Sequence, residues 1–286
     1  MYSRVYVEIT NTCNMNCPFC HGTTREARNM SLGEFARITS NLRGITEHLY
    51  FHVLGEPLLH PMLPIFIEHA KKCGFKVVLT TNGTLLREKG EQLLLTKPYK
   101  VNISLHSADG ERKNARNDSL LSCIDFADMA SDAGILVILR LWNLPDRNDI
   151  DRESETGKLN SDIVKVLRER FGEFEQTDSR GFRIKNKLHV EYGKRFEWPD
   201  AGAKDFGESV FCYGLNDHFA ILSDGTVVPC CLDADGVIEL GNIFEQDIND
   251  ILKSGRAVAM RNGFAQKKAV EQLCRHCGYA RRFSLL

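Results

Sequence analysis

The stretch Val5-Tyr6-Val7-Glu8-Ile9-Thr10-Asn11-Thr12-Cys13-Asn14-Met15-Asn16-Cys17-Pro18-Phe19-Cys20-His21 decides how the chain is read. Val5–Thr10 is rich in apolar and β-branched residues and predicts a strand. Asn11 onward predicts a loop, and in it lie cysteines spaced CxxxCxxC. Iron–sulfur clusters are held by cysteine thiolates on short loops, so Cys13, Cys17 and Cys20 can hold three irons of a 4Fe–4S cluster. No fourth cysteine follows nearby. The fourth iron is then open to a ligand, as an open position separates a catalytic metal site from a closed structural one. A zinc knuckle fits less well, because it favours two-residue gaps and needs a fourth ligand. His21 could supply that ligand only at a strained position beside Cys20. A disulfide framework belongs to short secreted chains.

The chain has 286 residues, 43% of them hydrophobic, enough for one large α/β domain with a smaller appendage. A formal net charge of -1 gives no global field favouring nucleic acid or membrane. No N-terminal apolar segment resembles a signal peptide, and no run reaches transmembrane length. Ten cysteines without such a signal point to a reducing cytoplasm and to metal ligation.

Short apolar runs alternate with amphipathic segments from Val5 to about Leu144. The predicted strands are Val5–Thr10, His48–Leu54, Lys76–Thr80, Val101–Leu105 and Leu136–Leu141. The predicted helices are Ser31–Arg43, Leu63–Cys73, Leu85–Leu95 and Ser119–Ala133, each with apolar spacing near 3.6. Ser31 with Glu34 reads as a capping box, and Gly74 and Gly134 as helix C-terminal caps. Ile163–Phe171 and Asn186–Val190 suggest a sixth unit. This alternation predicts parallel βαβ units. About six of them form a partial (β/α)6 barrel with its site at the strand C-terminal ends. Pro145–Gly157 reads as a surface loop or lid, and Asp178–Gly181 as a turn. The character changes after Tyr192, which places a barrel domain at 1–200 and a second domain at 201–286.

The cysteine loop and the strand ends that follow it resemble the radical S-adenosylmethionine (SAM) family. In that family the open iron binds the amino and carboxylate groups of SAM, whose reductive cleavage yields a 5′-deoxyadenosyl radical. Leu54-Gly55-Glu56-Pro57 resembles the family's Gly-Gly-Glu motif, with Leu54 where glycine is usual. The resemblance therefore implies that Gly55 and Glu56 bind the SAM amino group. It further implies that Asn82, in Thr80-Thr81-Asn82-Gly83, lines the SAM pocket. Ser104 matches the position that contacts SAM's ribose or methionine, and Phe19 matches the aromatic beside the adenine. Arg140 is a lone arginine in an apolar strand, costly unless paired, and a SAM carboxylate is a suitable bidentate partner.

Half of the ten cysteines lie in the C-terminal part. Phe219–Leu222 and Thr226–Pro229 flank Ser223-Asp224-Gly225, a hairpin signal, and a short helix is expected at Asn249–Lys253. Gly225-x4-Cys230 after Cys212, followed by Cys274-Arg275-His276-Cys277, resembles the SPASM/twitch extensions of the same family. The resemblance implies one auxiliary 4Fe–4S cluster held by Cys212, Cys230, Cys274 and Cys277, in a small twitch-like domain of β-hairpin and helix. A structural zinc site would use the same thiolates. Cys231 is a surplus thiol that could replace Cys230. Cys73 and Cys123 read as buried apolar residues.

The implied activity is reductive cleavage of SAM, then hydrogen abstraction from a substrate. After abstraction, the leading expectation is two-electron oxidation of a small polar molecule, assisted by the auxiliary cluster. Modification of a ribosomal peptide or protein side chain is the alternative. Twelve residues precede Cys13, so no leader-binding domain is expected, which favours the small molecule. A flavodoxin- or ferredoxin-type protein is the implied electron donor. A non-catalytic iron–sulfur or zinc module would leave Gly55, Glu56, Ser104 and Arg140 at successive strand ends without a purpose. His52, His106 and Tyr213 lie near strand ends or the auxiliary loop, and none is assigned as the general base.

Overall fold

The computed structural model describes residues 1–110, 113–144, 155–178 and 180–284. In chain order the elements begin with β1 (Arg4–Val7), α1 (Leu32–Asn41), β2 (His48–Phe51), α2 (Leu63–Lys72) and β3 (Lys76–Thr81). Next come α3 (Leu86–Thr96), β4 (Lys100–Ser104), α4 (Lys113–Asp132), β5 (Leu136–Leu144) and α5 (Glu155–Phe171). Three strands come after α5, namely β6 (Glu175–Asp178), β7 (Gly181–Lys185) and β8 (Leu188–Lys194). The C-terminal part holds β9 (His218–Ile221), β10 (Thr226–Val228), β11 (Gly241–Asn242), α6 (Ile248–Leu252), α7 (Gly255–Ala265), α8 (Gln272–Arg275) and α9 (Gly278–Ser284).

The chain divides into two compact units. The first comprises Met1–Asn14, His21–Val77 and Phe196–Leu286, the second Met15–Cys20 and Val78–Arg195. In the first unit β1 pairs in parallel with β2, Val5 opposite Leu49, and with β9, Val5 opposite Phe219. β9 and β10 form the expected antiparallel hairpin, and β11 adds to β10. Side chains alternate across a strand. Val5 and Val7 are therefore buried on one face of β1 while Arg4 and Tyr6 share the other. Phe35 of α1 stacks on Phe66 of α2 at 4.4 Å and meets Phe51 edge-on at 5.3 Å. The Ser31–Glu34 capping box forms in both directions.

In the second unit β3, β4, β5 and β8 are parallel neighbours, with Ser104 opposite Arg140 and Arg140 opposite Glu191. β7 and β6 then add antiparallel strands beyond β8. The sequence pattern predicts only a turn at Asp178–Gly181. The Glu-Gln-Thr-Asp run of β6 carries no apolar alternation, so its strand character comes from pairing with β7. Residues 145–154 of the expected lid lie outside the described residues, and residues 155–157 open α5 instead. Two strands end early, β1 at Val7 and β2 at Phe51, because the residues beyond leave the ladder to build the site. No helix among the described residues is long and apolar enough to cross a membrane.

Candidate active site

The cysteine loop is closed at its base by its own backbone. Met30 N donates to Ile9 O at 2.9 Å and Asn11 N to Arg28 O at 3.3 Å. The Asn11 side chain completes the closure, accepting from Arg28 N at 2.7 Å and donating to Glu26 O at 2.8 Å. The Gly-Glu-Pro turn docks against the residues that lead into Cys13. Gly55 has φ +76°, and a Cβ there would lie 2.4 Å from Thr10 O, so glycine is required twice over. Glu56 N donates to Thr12 O at 2.8 Å, and the buried Glu56 carboxylate accepts from Leu58 N at 2.9 Å.

Glu8 belongs to no motif, although it is the one charge in an apolar run, and it is fully buried. One guanidinium nitrogen of Arg25 lies 2.7 Å from both its carboxylate oxygens. Ser223 N donates to the same carboxylate at 3.1 Å and Leu54 N at 3.4 Å. Arg25 Nε donates to Ala234 O at 2.8 Å. The far flank of the loop is held by Asp235, which accepts from Thr23 Oγ1 at 2.8 Å and Thr24 N at 3.3 Å. His21 Nε2 lies 3.0 Å from the same carboxylate, and its ring stacks on Trp198. His21 is thereby engaged away from a zinc-ligand role. Cys13 and Cys20 are exposed and Cys17 half-buried.

The remaining predicted residues lie in the second unit. Cys17 Sγ is 4.0 Å from Ser107 O, and the Phe19 ring is 5.1 Å from the His106 ring. The Arg195 guanidinium lies 5.4 Å from Phe19. The Ser107 hydroxyl donates to Asn82 O and to Ser104 O at the end of β4. Asn82 Oδ1 accepts from Thr84 N at 3.0 Å and from its hydroxyl at 2.7 Å, so that oxygen builds the turn. The half-exposed Arg140 guanidinium lies 4.3 Å over Trp142. His106 Nδ1 sits 3.1 Å from Arg140 O, and burial, with the Arg140 and Arg195 charges, pushes its pKa down to about 4. His106 is therefore a neutral ring that links β4 to β5. Ser107 and Arg195 carry no sequence signal, because neither belongs to a motif.

In the first unit, Cys212, Cys230, Cys274 and Cys277 line one cavity with Val210, Ile238, Phe264 and Leu273. Burial pushes the Cys212 thiol up to about 11 and raises Cys230, Cys274 and Cys277. Neighbouring thiols of the same set add to the shift at Cys212, Cys230 and Cys274. Metal ligation requires the thiolates, and a bound cationic centre would offset the negative charge that burial disfavours. Gly214 N lies 3.3 Å from Cys212 Sγ, an amide directed at this sulfur. Among the described residues, no three Cys, His, Asp or Glu side chains converge on a single metal ion. Cys231 packs instead against the cluster of Val53, Leu54, Leu222 and Val228, within hydrogen-bond reach of Tyr6. Cys123 is buried as expected, whereas Cys73 is only half-buried, 3.6 Å from His69 Nε2.

The sequence profile of the radical SAM superfamily matches residues 7–155, just over half of the chain. That of the SPASM iron–sulfur cluster-binding domain matches residues 212–278. A probable GTP 3′,8-cyclase of Methanococcus maripaludis is 25% identical over 267 residues, covering 82% of this chain and 87% of that protein. A probable GTP 3′,8-cyclase of Pyrobaculum aerophilum is 31% identical over 107 residues, which span 36% of this chain and 34% of that protein. The crystal structure of BtrN in complex with AdoMet and 2-DOIA matches with a TM-score of 0.58 at 19% identity, covering 97% of this chain and 93% of that one. Streptococcus suis SuiB bound to precursor peptide SuiA matches with a TM-score of 0.57 at 15% identity, over 98% and 70%. These structures share the α/β partial-barrel fold with a C-terminal extension. The matched domains carry a 4Fe–4S cluster with SAM and an auxiliary iron–sulfur cluster, respectively.

Substituting Glu8→Gln should lower unfolding free energy by about 3 kcal/mol, because it leaves the Arg25 charge without its buried counterpart. Urea unfolding of the anaerobically purified protein measures this. A midpoint unchanged from wild type would show that the pair contributes nothing to holding the loop.

Proposed function

Because the chain belongs to the radical SAM superfamily, we propose that it abstracts a hydrogen atom from a small polar molecule and oxidises it by two electrons. SAM cleavage at the N-terminal cluster supplies the 5′-deoxyadenosyl radical. Cys13, Cys17 and Cys20 ligate three irons, and Gly55, Glu56, Asn82, Ser104, Arg140 and Phe19 hold SAM. Residues 1–200 thus form the SAM-binding part and residues 201–286 the auxiliary part. The observation that carries the oxidation is the four-thiol cavity of Cys212, Cys230, Cys274 and Cys277. With four protein ligands no iron is left for substrate, so the auxiliary site serves to accept the electron that a deprotonated substrate radical sheds. A small polar substrate is supported by the face of β1, β2 and β9 that carries Arg4, Tyr6, Tyr50 and His218, with Tyr6 5.2 Å from both Tyr50 and His52. Modification of a peptide is the second reading, favoured by the likeness to the peptide-bound structure. The catalytic base stays unassigned, and a cytoplasmic setting with a flavodoxin- or ferredoxin-type donor completes the proposal.

Alanine at any one of Cys13, Cys17 or Cys20 should reduce 5′-deoxyadenosine to background after anaerobic reconstitution. Iron should total about eight per chain in wild type and about four when all three are replaced. Wild-type nucleoside release from any single variant would sink the ligand assignment.

Arg140→Ala should weaken SAM binding by about 2 kcal/mol, roughly thirtyfold in Kd, with iron content kept. Equilibrium titration decides it, and an unchanged Kd would show that Arg140 does not hold SAM.

Replacing both Cys274 and Cys277 by alanine should remove one cluster, leave SAM cleavage detectable and suppress substrate oxidation far more strongly. Circular dichroism must confirm the fold, since metal binding in small domains is coupled to folding. A folded variant with one cluster and full product formation would refute the electron-accepting role.

A further inference from the structure

We propose that the surface around Phe206 and Arg281 is the docking face of an acidic one-electron carrier protein that takes electrons from the auxiliary cluster. This rests on the assignment of Cys212, Cys230, Cys274 and Cys277 to that cluster. Cys274 and Cys277 line two hollows. The first is the four-thiol cavity, and the second is a separate hollow of about 130 Å³ lined by Phe206, Ser209, Arg275 and Arg281. Two ligand residues thus form the wall between the cluster cavity and this second hollow, so a carrier seated on it meets the ligands themselves.

The chemistry of the rim selects the carrier. The Arg281 guanidinium lies 5.1 Å and the Lys204 ammonium 5.8 Å from the Phe206 ring centroid. Arg275 engages Asp205, and Lys268 engages Glu208 at 3.2 Å. Around Phe206 the cations Lys204, Lys268, Arg275 and Arg281 thus outnumber the carboxylates they engage, Asp205 and Glu208, and each of those carboxylates is met by a cation. An apolar centre within a cationic rim complements a partner whose cofactor is ringed by carboxylates. The backbone presents this rim rigidly, with Phe206 N donating to Arg275 O at 2.9 Å and His276 Nδ1 lying 2.8 Å from Ala203 O. The step is simple to balance. One electron leaves the reduced auxiliary cluster and reduces the oxidised cofactor of the carrier, and no bond forms or breaks. It disposes of the electron that substrate oxidation delivers.

The test uses full-length protein with Cys13, Cys17 and Cys20 replaced by alanine, so that only the auxiliary cluster exchanges electrons. The reduced protein is mixed in stopped flow with oxidised flavodoxin, an acidic flavin carrier, and calorimetry gives the Kd of the same pair. The Lys204→Glu/Arg281→Glu double variant should lower the bimolecular rate about tenfold or more and weaken the Kd, with iron content unchanged. Raising sodium chloride from about 50 to about 500 mM should slow the parent protein and leave the variant nearly unaffected. A rate within twofold of the parent at full iron overturns the proposal. If the variant loses iron, the salt series on the parent decides, and a salt-insensitive parent rate overturns it. Phosphate that slows transfer more than chloride at equal ionic strength would show a small-anion site, and would also overturn it. Failure of the auxiliary assignment registers differently, as the absence of iron from the starting protein.

Discussion

A carboxylate with no exposure to water must be met by charge and hydrogen bonds, or its burial costs the fold heavily. Glu8 meets that demand with Arg25 and two backbone amides, and each partner comes from a different piece of chain. Arg25 belongs to the cysteine loop, Leu54 to the end of the second strand segment, and Ser223 to the turn of the C-terminal hairpin. Satisfying one carboxylate therefore fixes three segments at once. Removing either ion alone would leave the other buried without compensation, which costs more than the pair contributes by itself.

This constraint leaves a loop held at its base and along its far flank. The pinch at Ile9–Asn11 and Arg28–Met30 closes the base, and Asp235 holds the flank at His21–Thr24. Cys13 and Cys20 are left exposed between these anchors. The opposite design holds at the C-terminal set. There the cysteines are half-buried, desolvation raises their pKa values, and apolar residues line the cavity with them. An exposed set suits a site that must admit a cofactor. A set lining an apolar cavity suits a site that only exchanges electrons.

The repeating units, the capping box at Ser31–Glu34 and the hairpin at Ser223–Gly225 were legible because each depends on local chemistry: periodicity, one reciprocal cap, one turn. The family resemblance was legible because CxxxCxxC and Gly-Glu-Pro are short and contiguous. Glu8, Arg25 and Asp235 were not, since their partners are up to 215 residues away in the chain. The early ends of β1 and β2 share that cause, because ladder residues were diverted to tertiary contacts such as Leu54 N to Glu8. The β6–β7 pair was hidden for another reason. Strands stabilised by pairing with a neighbour need no apolar alternation of their own.

Strand direction also separates Cys13 from the C-terminal cysteines. β1 and β9 are parallel, so Cys13 follows the strand end that lies beside the hairpin turn. β10 runs back, with Val228 opposite Ala220, and carries Cys230 toward the start of β9. Gly214, two residues after Cys212, bridges to His218 at that same starting end. Cys13 and the C-terminal cysteines thus lie toward opposite ends of β1, and at about 3.3 Å per residue the run from Arg4 to Glu8 alone spans roughly 13 Å. Across that span lie the rings of Tyr6, Tyr50, His52 and His218, each within 5.8 Å of another. In the proposed oxidation, a substrate held along this face would lose its hydrogen toward the Cys13 end and its electron toward the C-terminal cysteines, so the length of β1 would keep the two steps apart.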